Sequence, residues 1–302
     1  MRLFVGACSW ADRELIGSGW YPREIAGSPS DRLRFYSSHL ECVEVNSTFY
    51  SMPRPEVVYG WLANTPPGFR FGVKVFALFS AHTVPASALP PRFRRRVRAS
   101  AQGKGRLGLS DLDPEDRLEL IEDLKRLATL IHDAGKLGYL LLQLAPWVGF
   151  SQEGLRYLSR LRRALLPFRL AVEFRNPSWF AADNFSRTRE LLEEEAIALV
   201  CADQPQGERS VPPVLALTAS WGTVVRLHGR DPGAWMGPRL GRPPTERFKY
   251  LYADEEIIGW LERARRIASQ GAEVYLMFNN CYKDYAVRNA LRAREIAKQI
   301  IG

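Results

Sequence analysis

Cysteine and histidine are scarce in this chain, and those present are scattered. Cys8, Cys42, Cys201 and Cys281 stand far apart with no C-x-x-C spacing. That removes zinc-knuckle and disulfide-framework readings and leaves reduced thiols, most of them packing groups. There are 4 histidines and no H-x-H or H-E-x-x-H pair, so the common imidazole metal motifs are missing too. No strand-to-helix turn carries G-x-G-x-x-G, and no G-x-x-x-x-G-K-[ST] occurs, so dinucleotide and P-loop chemistry lose their main support. No segment approaches the roughly 20 uninterrupted apolar residues of a membrane span. The chain enters strand-like sequence at Leu3 without a signal-peptide pattern, and the expectation is a soluble, cytoplasmic protein with no membrane partner.

What is present in excess is positive charge. A formal net charge of +9 and a pI near 9.6 favour anionic partners, nucleic acid or phosphorylated small molecules, with solubility alone as the plain alternative. Part of the excess is local: Arg92, Arg94, Arg95, Arg96 and Arg98 crowd one short segment, followed by Lys104 and Arg106 among glycines. A solvated loop or short helix accounts for such a run; a phosphate-backbone grip is the other reading.

Hydrophobic residues make up 46% of the 302, enough for one large core. Eight short apolar runs rich in β-branched and aromatic residues read as strands: Leu3 to Trp10, Cys42 to Phe49, Arg70 to Phe76, Tyr139 to Pro146, Arg169 to Arg175, Ala198 to Asp203, Thr223 to Gly229 and Glu273 to Asn279. Helical patterns lie between them. Asp113 then Pro114 reads as N-cap and first-turn proline of a helix with Leu120, Leu124, Leu127 and Ile131 on one face. Ser151 and Asp254 open two more, and Ala286 to Ile301 closes the chain as another. Eight strands alternating with helices, without a second composition zone, predict a single α/β domain, a (β/α)8 TIM-barrel-like fold over residues 1–302. Two connections are long: the Arg, Pro and Gly-rich insertion 79–112 after the third strand, and Arg230 to Tyr252, with Pro232, Pro238, Pro243 and Pro244, after the seventh. Both leave strands at their carboxyl ends, where barrel active sites are built, and are candidates for a lid or a wall.

Leu170 to Phe180 carries Glu173 and Arg175 two residues apart on an apolar strand, hence on one face, where a charge has to be paired or at work. The device recurs at Glu44 with Asn46 and at Arg226 with His228. In a barrel, the polar residues at strand ends converge on one mouth: Ser9 and Trp10, Glu44 and Asn46, Lys74, Gln143, Glu173 and Arg175, Asp203, Arg226 and His228, Asn279 and Asn280. Glu44 and Glu173 are the candidates for general acid or base, opposed by Lys74 and Arg175. The structural alternative is that Glu173 with Arg226, or Glu44 with Lys74, are internal ion pairs bridging strands. Glu44, Glu173, Asp203 and His228 are also ligands suited to a divalent ion, a minority reading because Lys74, Arg175 and Arg226 compete for the same carboxylates. Trp10, Phe49, Tyr50, Trp147 and Trp179 frame the same face, as packing lids singly or together as a stacking surface for a sugar or base.

Six ordered motifs carry a family resemblance: Gly6 to Trp10 with Trp20-Tyr21-Pro22; Val43 to Tyr50; Phe69 to Lys74; Glu173 to Phe180; Arg226 to Arg230; and Phe278-Asn279-Asn280 with Ala286 and Asn289-Ala290. The chain resembles the DUF72 (YecE-like) proteins nearly end to end, and the resemblance implies an eight-stranded α/β barrel with a polar pocket at its carboxyl face. It implies no reaction. Two departures stand out: His82-Thr83 is followed by Val84-Pro85 and the arginine-rich insertion where the family has a Thr-His segment and a basic residue, and Asn176 follows Arg175 where the family has histidine.

The leading expectation is an enzyme acting on a small polar, anionic ligand, a phosphate ester, a sugar or a nucleotide-like molecule, at the carboxyl-end mouth. Glu173 or Glu44 would be the acid or base, Lys74, Arg175 and Arg226 the anion clamps, His228 a further catalytic group, and Asn46, Gln143, Asn279 and Asn280 the orienting hydrogen-bonders. Within that class, hydrolysis of a phosphate ester or glycosidic bond suits two carboxylates, with no cofactor expected. The rival is a nucleic-acid-binding protein, in its sharper form a metal-dependent nuclease, whose Arg92 to Arg106 segment grips phosphates.

Overall fold

Segments such as Leu-Gly-Tyr-Leu-Leu-Leu-Gln and Ile-Ala-Leu-Val-Cys-Ala-Asp are apolar on both faces. A strand needs this when its inner side chains fill a barrel and its outer ones meet helices. In the computed structural model, which describes residues 2–207, 209–237 and 241–301, eight such strands close into a barrel. We number them β1 (Arg2–Ala7), β2 (Cys42–Val45), β3 (Arg70–Lys74), β4 (Leu137–Gln143), β5 (Leu170–Glu173), β6 (Ile197–Asp203), β7 (Gly222–Leu227) and β8 (Glu273–Phe278). Each pairs in parallel with the next, and β8 closes on β1 from Arg2↔Glu273 to Ala7↔Phe278. The TIM-barrel-like α/β fold expected from sequence is the fold observed.

Most strands end two to four residues before the sequence pattern does. The run Cys42 to Phe49 is strand only to Val45; Asn46 turns helical (φ −86°, ψ −19°) and Ser47–Tyr50 forms a short helix. Thr48 Oγ1 then donates to the Lys74 carbonyl at 2.6 Å, fixing the end of β3. Just past these early exits, Asn46, Arg175, His228 and Asn279 border the mouth.

The helix Pro114–Asp133 buries Leu120, Leu124, Leu127 and Ile131 as its period predicts. Asp113 occupies its N-cap position, but the side chain pairs with Arg98 at 2.9 Å rather than capping the backbone. Ser151 does cap Gln152–Ala164, accepting from Gly154 N at 3.0 Å. Asp254–Ala268 and Tyr285–Ile301 follow as read, within a residue. No helix among the described residues is long and apolar enough to cross a membrane.

The two long connections part company. In 79–112, Val84–Pro85 and Arg106–Leu107 form a small antiparallel sheet, and Phe93, Leu107 and Leu112 are buried. Four of its basic residues lie against acidic partners, Arg92 on Glu119 and Asp123, Arg96 on Asp116 and Glu119, Arg98 on Asp113 and Lys104 on Asp111, while Arg94 donates to the Leu89 and Ser87 carbonyls. The solvated short helix weighed for this run is what forms: Pro91–Arg94 is helical and Arg92, Arg94, Arg95, Arg96 and Arg98 are exposed, on a folded strap whose His82 feels the Lys74 charge. The connection after β7 lines the barrel mouth, through the helix Pro232–Met236 and the turn Pro244–Phe248. Pro238 lies outside the described residues.

Candidate active site

Arg226 on β7 is 1% exposed and reaches across the barrel interior to two other strands. Its Nη2 and Nε donate to Glu44 of β2 at 2.6 and 3.1 Å, and its Nη1 donates to Glu173 Oε2 of β5. Glu44 Oε2 also accepts from Tyr139 at 3.1 Å. That ring fits only because residue 72 is glycine: a Cβ there would lie 2.5 Å from Tyr139 Cζ. Glu173 Oε1 accepts from Arg175 Nη1 at 2.7 Å and faces His228 Nε2 at 3.3 Å. Both carboxylates are fully buried. Burial alone would raise the Glu173 carboxyl, but Arg226, His228 and Arg175 outweigh it and hold it well below the usual carboxylate range.

This geometry corrects the roles read from sequence. Every oxygen of Glu44 and Glu173 already accepts from a neighbour, and Arg226 spends all three guanidinium nitrogens on them. The two carboxylates are counter-charges that hold guanidiniums, and Arg226 is a buried tie rather than a free anion clamp. Of the two ion pairs weighed, Glu173 with Arg226 forms; Glu44 with Lys74 does not, because Arg226 has taken Glu44. Asn279 Nδ2 donates to His228 Nδ1 at 2.8 Å, which leaves the ring proton on Nε2, toward Glu173. Burial, against the pull of Glu173, lowers His228 to about 4, so the imidazole is neutral at pH 7.

Above this floor lies a cavity of about 570 Å³. Asn46, Tyr50, Lys74, Gln143, Arg175, Arg226, His228 and Asn279 all border it, bringing together chain segments more than 200 residues apart. Lys74 Nζ stands 4.2 Å from the centre of the Phe49 ring, and among the described residues it has no hydrogen bond or ion pair. Burial first, then the Arg226 charge, lowers its amine to about 8 despite Glu44 and Glu173 nearby. Arg175 lies 5.3 Å from the Trp235 ring, which Arg247 covers from 3.9 Å.

Five expected site residues point elsewhere. Asp203 is committed to Arg230 at 2.9 Å, Tyr252 at 2.8 Å and Trp260 at 3.3 Å. Asn280 Nδ2 bonds Tyr250 O at 2.7 Å and Asn289 Oδ1 at 2.8 Å, tying the segment before the helix Asp254–Ala268 to the helix Tyr285–Ile301. Trp10 packs edge-on to Trp61 in the core, Trp179 is fully buried with its indole nitrogen on Val148 O, and Ser9 Oγ accepts from Ala11 N in its own turn. With Asp203 elsewhere and Arg226 between the two glutamates, the four-residue metal set is not assembled; among the described residues no group of three or more His, Cys, Asp or Glu side chains is disposed to hold an ion. Sequence reasoning missed Cys8, Asp12, Cys281, Trp235 and Arg247 at the mouth. Cys8 and Cys281 read as packing thiols, and burial does push both upward. Trp235 and Arg247 sit in a proline-punctuated loop with no periodicity to mark them.

A family model described as "Protein of unknown function DUF72" matches residues 4–300. The chain is similar to UPF0759 protein YunF of Bacillus subtilis (strain 168), 28% identical over 280 residues, 92% of this chain and 88% of that one. A shorter stretch of 48 residues is 46% identical to UPF0759 protein YecE of Escherichia coli (strain K12), 16% of this chain and 18% of that one. Among solved structures, a DUF72 family protein from Thermotoga maritima MSB8 is 28% identical with a TM-score of 0.74, over 99% of this chain and all 100% of that one. Another, from Enterococcus faecalis V583, is 24% identical with a TM-score of 0.75, over 98% and 95% of the two chains, and speaks to the fold alone.

Proposed function

The chain belongs to the DUF72 family, whose description leaves its reaction open, so the reaction has to be read from the site, and we propose that the protein is an enzyme whose barrel mouth binds a small anionic ligand against Arg175 and Lys74. The observation that carries this reading is the charge of the cavity floor. Glu44 and Glu173 are matched by Arg226 and Arg175, and the Lys74 amine has no counter-charge of its own. Arg175 keeps donors beyond its one bond to Glu173, and its side chain is 11% exposed, enough for a ligand to reach it. Asn46, Gln143 and Asn279 border the cavity and supply polar groups that orient without adding charge, while neutral His228, held between Asn279 and Glu173, adds none of its own.

The occupied carboxylates take support away from glycoside hydrolysis, which needs one carboxyl free to protonate and another free to activate water or attack. A phosphate ester keeps its clamp under this reading, but the reactive group becomes the Lys74 amine. Titrating inorganic phosphate by isothermal calorimetry tests the reading. Saturable binding that weakens at least tenfold in Arg175→Gln is expected; equal affinity in the variant, or no saturation in the wild type, overturns it.

A further inference from the structure

The structure contains two lysines at the edge of the core, and they are treated differently. Lys136 Nζ is satisfied three times over, by Leu62 O at 2.8 Å, Thr65 O at 2.7 Å and Thr65 Oγ1 at 2.9 Å. That is how a buried ammonium is kept for structural ends. Among the described residues Lys74 Nζ has no such hydrogen-bond partner and stands 4.2 Å from the Phe49 ring, yet it ends a strand and borders the cavity with Arg175, Gln143 and Asn46. An amine without hydrogen-bond partners, on a strand end, facing a cavity and flanked by two guanidiniums, is poor architecture for stability and good architecture for a nucleophile.

We propose that Lys74 is an imine-forming lysine whose substrates are small aldehydes or ketones carrying a phosphate or carboxylate group. This rests on the anion-binding reading of the mouth: Arg175 takes the anionic end and brings the carbonyl carbon to Nζ. The Nζ lone pair forms the new C–N bond as the carbonyl π pair moves to oxygen. Counted from the ammonium form, two protons pass from nitrogen to that oxygen, which leaves as water, and the imine nitrogen retains the third. No oxidant, reductant or metal is required. Gln143 borders the cavity beside Lys74, and its amide N–H is the donor available to the oxygen of the tetrahedral intermediate, since Asn46 Nδ2 already donates to Cys8 O at 2.6 Å. With its amine lowered to about 8, Lys74 is unprotonated in about one molecule in ten at pH 7, against fewer than about one in a thousand for an ordinary lysine.

Reductive trapping tests this on the intact protein. Glyoxylate, glycolaldehyde phosphate and neutral glycolaldehyde are each offered with sodium cyanoborohydride, and the modified lysines are mapped by peptide mass spectrometry. Lys74 is expected to be labelled at least tenfold faster than exposed Lys249 and Lys298 by one or both anionic aldehydes, slowly by glycolaldehyde, and not when inorganic phosphate saturates the site. The two anionic arms tell carboxylate from phosphate recognition. Lys74→Arg removes the primary amine and is expected to abolish the adduct at this position while the thermal unfolding midpoint stays that of the wild type, showing the barrel intact. Labelling of Lys74 no faster than of the exposed lysines, or equally fast with glycolaldehyde, overturns the proposal. If phosphate still binds in that case, only the imine falls; if it does not, the anion-binding reading falls with it.

Discussion

Arg226 meets Glu44 through a two-bonded fork, Nη2 to Oε1 at 2.6 Å and Nε to Oε2 at 3.1 Å, with both side chains out of reach of water. Arg226 lies on β7 and Glu44 on β2, strands that do not neighbour one another in the barrel. The third arm, to Glu173 on β5, makes it a three-strand tie. Charges buried this deeply stabilise only as a complete set, since each alone carries a desolvation cost of several kcal/mol.

Removing the tie from its centre is therefore expected to be severe. Arg226→Met leaves two buried carboxylates facing each other without their shared cation, and urea unfolding is predicted to show a loss of about 3–5 kcal/mol. A loss under about 1 kcal/mol would mean that water enters the barrel freely and that the fork contributes little.

His228 sets a stability slope in acid. Its folded pKa, about 4, lies below the unfolded value near 6.5, so between these limits the unfolded chain binds more protons and stability falls as pH drops. The full effect is about 3 kcal/mol, complete near pH 4. His82 is also lowered to about 4, by burial first and then by Lys74. Glu173 adds a loss only at lower pH, because its folded pKa is depressed and its contribution vanishes as pH falls through that value. His228→Asn is predicted to remove about half of the slope between pH 6.5 and 4; an unchanged slope would place the imidazole in water.

Gly72 and Tyr139 form a lock whose parts fail differently. Tyr139→Phe deletes one hydrogen bond to Glu44 and is expected to cost about 1 kcal/mol. Gly72→Ala drives a methyl into the ring and displaces it, at about 1–3 kcal/mol. Thermal unfolding that ranks Tyr139→Phe as the worse of the two would contradict the packing described.

The insertion arginines bear on nucleic acid. Arg92 and Arg96 face Asp116, Glu119 and Asp123, and the expectation is that Arg92→Gln with Arg96→Gln lowers melting temperature slightly and leaves duplex DNA binding unchanged. Anisotropy titrations over 50–200 mM salt check this: a steep slope in log affinity, lost in the double variant, would restore the phosphate-grip reading.

Much of the barrel was legible because a buried parallel strand writes itself as a continuous apolar run, and eight such runs leave little choice of fold. Among the polar residues read as facing the mouth, Lys74, Gln143 and Arg226 on the strands and Asn46, Arg175, His228 and Asn279 just past them do border the cavity. Elsewhere tertiary partners decide: Asp203, at the end of β6, turns to Tyr252 and Arg230, Asn280 turns to Tyr250 and Asn289, and Trp10 and Trp179 fold into the core. Pairing was legible in part: Glu173 with Arg226 was one of the two pairs weighed, and it forms. Nothing in the local sequence says that Arg226 satisfies Glu44 across the barrel, and that choice leaves Lys74 without a partner. Trp235 and Arg247 stack on each other from a loop whose form depends on tertiary contacts.

The most direct test of the account is the titration of the Lys74 amine in the folded protein, followed by competitive acetylation with peptide mapping, with and without inorganic phosphate. The groups facing it are Arg226, Arg175, Glu44 and Glu173 on the barrel strands and His82 on the following loop. The account predicts a reactivity midpoint near pH 8 that moves upward when phosphate occupies the mouth, because a bound anion favours the charged amine. A midpoint coinciding with those of Lys249 and Lys298, indifferent to phosphate, would contradict both the poised amine and the anion site beside it.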